Sequence, residues 1–354
     1  MNLTGRVAVA MSGGVDSSVA ASLLVDQGAD VFGVMMRLWV EDGRVNRCCS
    51  PEDIAGARRV AASLGIPFYV LDMKSAFREH VVAFFISGYA QGRTPNPCME
   101  CNRFIRWTRL LADAVGLGAR YLATGHYARV KRSEGKYVLL RGVDPRKDQS
   151  YVLSVLGQDQ LARAVFPLGE LTKAEVRDYA RQRGLAVAER PESQDLCFLA
   201  GEDYRTFLHR NAADGFSPGH IFDTAGKSIG QHEGLPAYTI GQRRGIGVPA
   251  DQPLYVIAKD VAANALIVGP RSSLGRTTFR TLAANWVSGD PPENRCEAEV
   301  QVRYRASRVP CHVTLLPDGA TEVMLERPLP DVTPGQSAVF FRGEVCLGGA
   351  VIAA

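Results

Sequence analysis

The most reactive side chains in the sequence are three cysteines in two short segments. Cys98 and Cys101 form a CxxC pair in TPNPCMECN (94–102), and Cys197 follows much later in ESQDLCF (192–198). A CxxC pair can bind a metal, form a redox disulfide or present a reactive thiolate. The spacing of the three residues leaves these alternatives open.

The other cysteines fit structural roles better. Cys296, Cys311 and Cys346 lie in strand-like segments and are expected to be small buried residues. Cys48 and Cys49 precede a predicted helix. Packing is the expected role of this pair, and a place in a substrate loop is the alternative.

A second chemical feature is the segment AMSGGVDSS (10–18), which lies between an apolar strand pattern and a helical pattern. Gly13 and Gly14 allow a tight turn in which successive N–H groups converge, and the serine hydroxyls and the helix N-terminus add further donors. The segment lacks the lysine of GxxxxGK(S/T) and the glycine spacing of GxGxxG. It therefore predicts a phosphate-binding loop of another type, in which Asp16 is a candidate ligand for the Mg²⁺ that accompanies a nucleotide.

These residues must be positioned by the elements around them, and strand and helix patterns alternate through the first part of the chain. Ser50-Pro51-Glu52-Asp53 is typical of a helix start, and Thr172 begins another helix. The alternation predicts an α/β fold with a doubly wound parallel sheet, whose ligands sit at the carboxyl ends of the strands. The predicted strands are 6–11, 30–39, 67–73 and 119–127, and 128–142 is predicted to be a hairpin attached to the same sheet.

The second part of the chain has a different pattern. Beyond about residue 205 the helical period fades, and YTI (238–240) is strand-like. From Arg295 onward the apolar residues alternate with period two, which predicts a small antiparallel barrel or sandwich. The predicted domains are 1–204, a small central domain at 205–275 and a C-terminal β-barrel at 276–354.

Bulk composition limits the class of protein. The chain has 354 residues, 46% of them apolar, and a formal net charge of +4, which permits a nucleic-acid partner without requiring one. The scattered cysteines are not typical of a disulfide scaffold. No signal peptide or apolar run of membrane-spanning length is visible. We therefore expect a cytoplasmic protein with no membrane partner.

The string SGGVDSS (12–18) resembles the phosphate loop of the N-type ATP pyrophosphatases, the PP-loop superfamily with the adenine-nucleotide alpha-hydrolase-like fold. That resemblance implies cleavage of ATP between its α and β phosphates and adenylation of a substrate oxygen. The loop alone indicates the superfamily and not the member.

Further strings narrow the resemblance. The chain is similar, almost from end to end, to the bacterial tRNA-uridine 2-sulfurtransferases, the 2-thiouridylases of the MnmA type. The resemblance implies ATP-dependent 2-thiolation of uridine 34 in tRNAs of the Lys, Glu and Gln type, with AMP and pyrophosphate released and with sulfur supplied by a persulfide donor or relay protein. The strings that carry it are GVMMRLW (33–39), CCSPED (48–53), TPNPCMECN (94–102), LATGHYAR (122–129), KDQSYVL (147–153), ESQDLCF (192–198), YTIGQRRGIG (238–247) and TPGQSAVFF (333–341).

The same resemblance implies roles for the cysteines. Cys197 matches the residue that carries a persulfide, and Cys101 matches the nucleophile that cleaves it and leaves a Cys101–Cys197 disulfide. A helix N-terminus from Asn102 onward would favour the Cys101 thiolate. Many members have Asp where this chain has Cys98, so CxxC with Cys197 also resembles the iron–sulfur-dependent tRNA thiolation enzymes, in which three cysteines hold a 4Fe–4S cluster. Two alternatives therefore stay open: persulfide chemistry in which Cys98 is auxiliary, and cluster chemistry in which Cys98 is a ligand.

The resemblance also implies the nucleotide and RNA contacts. The residues matched to ATP binding are Ala10, Met11, Ser12, Gly13, Gly14, Val15, Asp16, Ser17, Met36 and Gly125. The residues matched to tRNA binding are Asn96, Pro97, Cys98, His126, Lys147, Asp148, Gln149, Tyr304, Arg305 and Gln336. Arg303 and Arg308, which flank Tyr304 and Arg305, are further candidates for phosphate contacts.

Two other functions are open to this sequence. Another adenylating ligase would explain the phosphate loop but not the cysteines. A non-catalytic tRNA-binding or sulfur-carrier protein would explain the cysteines but not the intact loop.

Overall fold

The computed structural model describes residues 3–41, 50–191, 196–212 and 216–354. Cys48, Cys49 and residues 192–195 of ESQDLCF lie outside the described residues. The predictions for these residues therefore stay predictions.

The helices and strands of the described residues follow one another in an αβ-rich first part and a β-rich second part. The helices are α1 (Val15–Asp26), α2 (Pro51–Ser63), α3 (Lys74–Phe77), α4 (Ala83–Ala90), α5 (Pro97–Glu100), α6 (Leu111–Gly116), α7 (Ser150–Leu153), α8 (Gln158–Leu161), α9 (Lys173–Gln182) and α10 (Tyr204–Asn211). The strands are β1 (Val7–Ala10), β2 (Val31–Arg37), β3 (Phe68–Asp72), β4 (Tyr121–Thr124), β5 (Ala128–Ser133), β6 (Lys136–Arg141), β7 (Ala164–Val165), β8 (Gly219–Phe222), β9 (Ser228–His232), β10 (Tyr255–Asp260), β11 (Ala265–Gly269), β12 (Arg276–Arg280), β13 (Asn285–Trp286), β14 (Arg295–Gln301), β15 (Val309–Leu315), β16 (Thr321–Leu329), β17 (Ser337–Arg342) and β18 (Val345–Val351).

The first part contains the predicted parallel sheet, with strand order β3-β2-β1-β4-β7. Its central strand β1 is apolar and its first three residues are buried, as expected for a strand covered on both faces. Ser50 caps α2 in a complete capping box with Asp53, and Thr172 caps α9 in the same way with Glu175. Both predicted helix starts are confirmed.

Two helical segments have wider turns than an α-helix. Residues Arg78–Val82 form a π-helix between α3 and α4, and Cys101–Leu110 form another between α5 and α6. The second begins immediately after α5, so one continuous helical rod runs from Pro97 to Gly116. Asn96 caps this rod, so the prediction of a helix N-terminus at Asn102 is wrong: Cys101 lies one turn inside the helix.

The central sheet has strand order β10-β11-β8-β9, with one parallel pair between β11 and β8. The prediction of a strand at 238–240 is wrong. A short 3₁₀ turn at Leu235–Ala237 precedes this segment, and the Tyr238 and Ile240 side chains pack into the small core beneath the sheet. The apolar character of the segment therefore reflects burial and not strand pairing.

The C-terminal sheet is antiparallel, with strand order β12-β16-β15-β14-β17-β18-β6-β5 and β13 paired with β18. The hairpin β5–β6 was predicted to extend the parallel sheet, and that prediction is wrong. The free side of β4 is taken by β7, while Leu139 and Leu140 of β6 pair with Cys346 and Val345 of β18. The hairpin therefore links the first part of the chain to the last.

A shared hydrophobic core accompanies this link. Trp107 and Leu139 from the first part belong to the same buried cluster as Val339, Phe341 and Cys346 from the C-terminal sheet. The two parts are thus stabilised by the same apolar contacts. None of the helices that the structure describes combines the length and the apolar character needed to span a membrane.

The shared core predicts that a cavity in the C-terminal sheet destabilises the whole first part. We expect Phe341→Ala to lower the free energy of unfolding by about 3–5 kcal/mol, because the ring is fully buried. Urea unfolding should show one transition, with nucleotide binding and far-UV circular dichroism lost together. The control is Met324→Ala on β16, whose side chain is 46% exposed and should matter little. Loss of the C-terminal sheet alone, with nucleotide binding retained, would contradict the shared core.

Candidate active site

A large cavity lies at the carboxyl ends of β1, β2 and β4, where a parallel sheet is expected to bind its ligand. Its volume is about 1110 Å³. The walls come from the glycine-rich loop, from the rod that begins at Pro97, from the turn at Cys197 and from Tyr304 and Arg305 of the C-terminal sheet. Residues from distant parts of the chain therefore face the same space.

The glycine-rich loop forms one end of the cavity. Gly13 has φ of +74°, a conformation that favours glycine. Gly14 is the N-cap of α1 and has no side chain to bond the first amides of the helix. Ser17 braces the loop, since its hydroxyl accepts from the Ser12 N–H at 3.1 Å and donates to the Gly14 carbonyl at 3.1 Å. This is the arrangement that binds a phosphate at a helix start.

Two basic residues that the sequence did not reveal support this loop. Lys173, the first residue of α9, has its Nζ 2.6 Å from Asp16 Oδ1. The Tyr127 hydroxyl donates to the same oxygen at 2.7 Å. Arg190 donates to the Gly13 carbonyl at 2.9 Å and pairs with the buried Asp53. Only the fold brings these cations to the loop, because more than 150 positions separate Lys173 from Asp16 along the chain.

Gly125 is required by a close approach of two backbones. It follows β4, and a Cβ at this position would lie 2.8 Å from the Asp16 carbonyl carbon and 2.8 Å from the Ser17 nitrogen. Gly125 lines the cavity, and so do all the other residues matched to ATP except Gly13, whose carbonyl accepts from Arg190. Those other residues are Ala10, Met11, Ser12, Gly14, Val15, Asp16, Ser17 and Met36.

The three predicted cysteines all line this cavity. Cys98 is exposed in the first turn of the rod, where its N–H donates to the Asn96 side chain at 3.1 Å. Cys101 and Cys197 are partly buried. Cys197 is the first residue of a short 3₁₀ turn. The ring of the next residue, Phe198, packs edge-on against Phe85, with the two ring centroids 5.2 Å apart. The buried ring anchors the turn while the thiol faces the cavity.

The cysteine geometry bears on the cluster alternative. Within the described ranges, no three Cys, His, Asp or Glu side chains are placed so that they could hold one metal ion. In this conformation Cys98, Cys101 and Cys197 share a cavity without forming a ligand set.

The other cysteines match the prediction of structural roles. Cys296, Cys311 and Cys346 are buried. Burial raises the pKa of Cys311 to about 12, with the nearby Cys296 adding to the effect. Such a thiol is protonated and unreactive at neutral pH.

His126 lies buried beside the cavity in a chain of polar contacts. Its Nδ1 is 2.7 Å from the Thr124 hydroxyl, and its Nε2 is 3.5 Å from Nη1 of Arg106. Arg106 in turn donates to Asn102 at 2.6 Å. Burial lowers the pKa of His126 well below its usual value, and the Arg106 charge lowers it further. The imidazole is therefore neutral at physiological pH.

The residues matched to tRNA fall into two groups. Asn96, Pro97, Cys98, His126, Lys147, Gln149, Tyr304 and Arg305 line the cavity. Asp148 and Gln336 are not among the residues that line it. Gln336 donates to the Thr94 carbonyl at 2.8 Å, and Asp148 accepts from Arg141 and Ser150. Their contacts with RNA stay predictions.

Comparison with known proteins places this geometry in a family. Models of three domains match the chain: a tRNA methyl transferase HUP domain at 5–201, a tRNA methyl transferase PRC-barrel domain at 205–270 and an aminomethyltransferase β-barrel domain at 276–352. The tRNA-specific 2-thiouridylase MnmA of Roseiflexus castenholzii is 50% identical over 98% of this chain and 99% of its own length. That of Chloroflexus aurantiacus is 52% identical over 98% of both chains.

The chain belongs to the tRNA-specific 2-thiouridylase family. The models carry methyltransferase names, but the full-length relatives are named as thiouridylases, and the full-length match decides the assignment. A solved U34-tRNA thiolase from Methanococcus maripaludis, described with its 4Fe–4S cluster, is 19% identical over 58% of this chain and 66% of its own, with a TM-score of 0.34. At that identity and TM-score the two chains are only distantly similar.

The close approach at Gly125 predicts a specific defect in nucleotide use. Gly125→Ala should raise the KM for ATP about tenfold, because relieving an overpacked contact of this kind costs roughly 1–3 kcal/mol. Gly116→Ala is the matched control, since a Cβ there meets nothing within 4 Å and favours the helix. Steady-state kinetics with ATP as the varied substrate would measure both. An unchanged KM in Gly125→Ala would show that the loop does not depend on this contact.

The neutral His126 predicts a pH dependence of stability. The folded pKa lies below the unfolded value of about 6.5, so the unfolded chain takes up the proton first as the pH falls. This histidine should therefore lower the free energy of unfolding below pH 6.5, by up to ~1.4 kcal/mol per pH unit, and should have no such effect above that pH. His126→Gln should remove that component, whereas His220→Gln, at an exposed site, should not. The free energy of unfolding is measured in urea at pH 7.5 and 5.5. An equal loss of free energy between the two pH values in wild type and in His126→Gln would refute the assignment.

Proposed function

We propose that this enzyme catalyses ATP-dependent 2-thiolation of uridine 34, the wobble base of tRNA, and that the sulfur passes through a persulfide on Cys197. Membership of the 2-thiouridylase family supports tRNA-uridine 2-thiolation and the use of ATP. The wobble position, the cysteine roles and the sulfur donor are our assignment.

One observation carries the proposal: the phosphate loop and both catalytic cysteines face a single cavity. Adenylation acts on O2 of the base and sulfur transfer acts on the adjacent C2, so the groups that carry out the two steps must share a site. A ligase that used the loop alone would not need Cys101 and Cys197 in the same space. A carrier protein that used the cysteines alone would not need the loop.

The first step is activation of the base. Uridine O2 attacks the α-phosphorus of ATP, the bond to the bridging oxygen breaks, and pyrophosphate leaves. The amide of Gly14 and the start of α1 would bind the leaving phosphates, with Lys173 and Arg190 supplying positive charge beside them. Mg²⁺ that enters with the triphosphate would be held by its phosphates and the Asp16 carboxylate, and would neutralise phosphate charge.

The second step is sulfur transfer. The terminal sulfur of the Cys197 persulfide attacks C2, and AMP leaves with the former carbonyl oxygen. The Cys101 thiolate then attacks the Cys197 sulfur, so the persulfide bond breaks, its electron pair stays on the sulfur now bound to C2, and a Cys101–Cys197 disulfide forms. A reductant must reopen that disulfide before the next turnover.

The third element is the RNA. The reacting carbon lies inside the base stack of an anticodon loop, so the base must be extruded into the cavity. Asn96, Pro97 and Cys98 line the cavity, and we assign them to the pocket of the base, with charge from Lys147 and Arg305 and a stacking ring from Tyr304. We propose tRNAs of the Lys, Glu and Gln type, a persulfide donor or relay protein as the sulfur source, and a cytoplasmic location.

A thiolation assay on iron-free protein tests the proposal. The mixture holds ATP, Mg²⁺, unmodified tRNA and a small-molecule persulfide donor, and 2-thiouridine is measured by mass spectrometry of the nucleosides. Wild type should form product. Cys197→Ser should lose at least a hundredfold in product while its affinity for ATP stays within about twofold, because the thiol and the phosphate loop are separate walls of the cavity.

Cys98→Ser is the matched variant that separates the two chemistries. The persulfide route predicts that it retains most of the activity, since Cys98 is auxiliary there. The cluster route requires all three cysteines, so product that appears only after anaerobic iron–sulfur reconstitution, and is lost in Cys98→Ser, would replace the persulfide mechanism. Full product from Cys197→Ser would defeat both.

A further inference from the structure

The loop that carries Tyr304 and Arg305 into the cavity is held in an unfavourable conformation. It connects β14 to β15, and Arg305 has φ of +64°, in the left-handed region. This region is unfavourable for a residue that has a Cβ. Such a conformation persists only where the surroundings fix it, and it is often found at functional sites.

Two arginines fix this loop at its ends. Arg303 donates through Nη2 to the Ile240 carbonyl at 3.0 Å and to the Thr333 hydroxyl at 2.5 Å, which ties the loop to the central part of the chain. The Cζ atom of Arg308 lies 3.8 Å from the centroid of the Phe341 ring, and Nη1 donates to the Gly343 carbonyl at 3.0 Å. Neither side chain lines the cavity, so their engagement is with protein.

Arg308 also forms two long ion pairs, one of them between Nη1 and Oε2 of Glu299 at 3.5 Å. Its side chain is 12% exposed, and its Nη2 lies 3.9 Å from Oδ2 of Asp148, beyond hydrogen-bond distance. Within the described part of the chain this buried Nη2 has no hydrogen-bond partner. A buried guanidinium nitrogen without a partner is unfavourable, so a small shift of the loop that closed the gap would be stabilised.

Asp148 connects that gap to the phosphate loop. Its carboxylate accepts from the Ser150 N–H at 3.1 Å and the Gly142 N–H at 3.1 Å, which holds the turn that precedes α7. The next residue, Gln149, exchanges two hydrogen bonds with the Tyr127 backbone, at 2.9 and 3.0 Å. Tyr127 donates to Asp16 in the phosphate loop at 2.7 Å. A series of hydrogen bonds thus joins Asp148 to the nucleotide-facing loop, and the gap between Arg308 and Asp148 is the one break between it and the RNA-facing loop.

We propose that Arg308 and Asp148 are positioning residues that couple tRNA binding at Tyr304 and Arg305 to ATP binding at the phosphate loop. Closure of the Arg308–Asp148 pair would tie the RNA-facing loop to the turn at Gln149, which already contacts Tyr127 and, through it, Asp16. The coupling rests on the proposed function for the identity of the RNA. It goes beyond that function because neither residue touches ATP or the target base.

Coupling of this kind is reciprocal and can be measured by binding alone. The probes are unmodified tRNA and an ATP analogue with a methylene group between the α and β phosphorus atoms, with Mg²⁺. Saturating tRNA should tighten the Kd of the analogue about tenfold in wild type, within the usual range of allosteric coupling. Arg308→Gln should reduce that factor to below about twofold while the Kd without tRNA stays unchanged.

Two further variants keep the test decisive. Arg308→Lys retains the charge and packing if the glutamine variant folds poorly, and it should also lose most of the coupling, because an ammonium cannot reproduce the guanidinium contacts. Arg327→Gln removes an exposed arginine from β16 of the same sheet and should keep the wild-type factor. Asp148→Asn combined with Arg308→Gln should be no worse than either change alone, because both act through one pair.

Several outcomes would overturn the inference. They are an absence of coupling in wild type, full coupling in Arg308→Gln, or a more than tenfold loss of tRNA affinity in Arg308→Gln without ATP, which would make Arg308 a direct RNA contact. Failure of wild type to form 2-thiouridine would refute the proposed function separately, since the binding measurement does not require catalysis.

Discussion

The pairing of β6 with β18 is the constraint on which the geometry of this enzyme depends. The hairpin that contains β6 begins directly after the end of β4, where Gly125 and Tyr127 meet the phosphate loop. Its register with β18, Leu140 opposite Val345, draws the C-terminal sheet against the carboxyl edge of the parallel sheet. An RNA-facing surface is thereby fixed over a nucleotide-facing one, and the space between them is the cavity.

The phosphate loop contains no lysine, so the positive charge beside it comes from other parts of the chain. Lys173 and Arg190 come from the far end of the first part and approach the loop from outside, each held by a carboxylate. Those carboxylates, Asp16 and Asp53, keep the charges in place before any phosphate arrives. His126 has the opposite character: it is buried next to Arg106 and adds no charge of its own.

Much of the fold follows from the sequence, and the exceptions have physical causes. The strand and helix periods and the caps at Ser50 and Thr172 are local signals, and the structure confirms them. The placement of the hairpin could not be predicted, because it depends on which strand occupies the free side of β4. The apolar segment at 238–240 was mistaken for a strand because period and composition do not distinguish pairing from packing. Lys173, Arg190 and the Arg308–Asp148 pair are invisible for a related reason: each acts through a partner that only the tertiary fold brings near.

The wide-turned stretch at Cys101–Leu110 has an evolutionary consequence. Each residue of an α-helix turns the chain by about 100°, so a deletion within this stretch would rotate the end of the rod relative to its base. That end carries Asn96, Cys98 and Cys101, and the base is packed into the core through Trp107 and Leu110. Such a change of length would turn the thiols away from the nucleotide. The length of this segment, as well as the identity of Cys101, is therefore a property that selection should preserve.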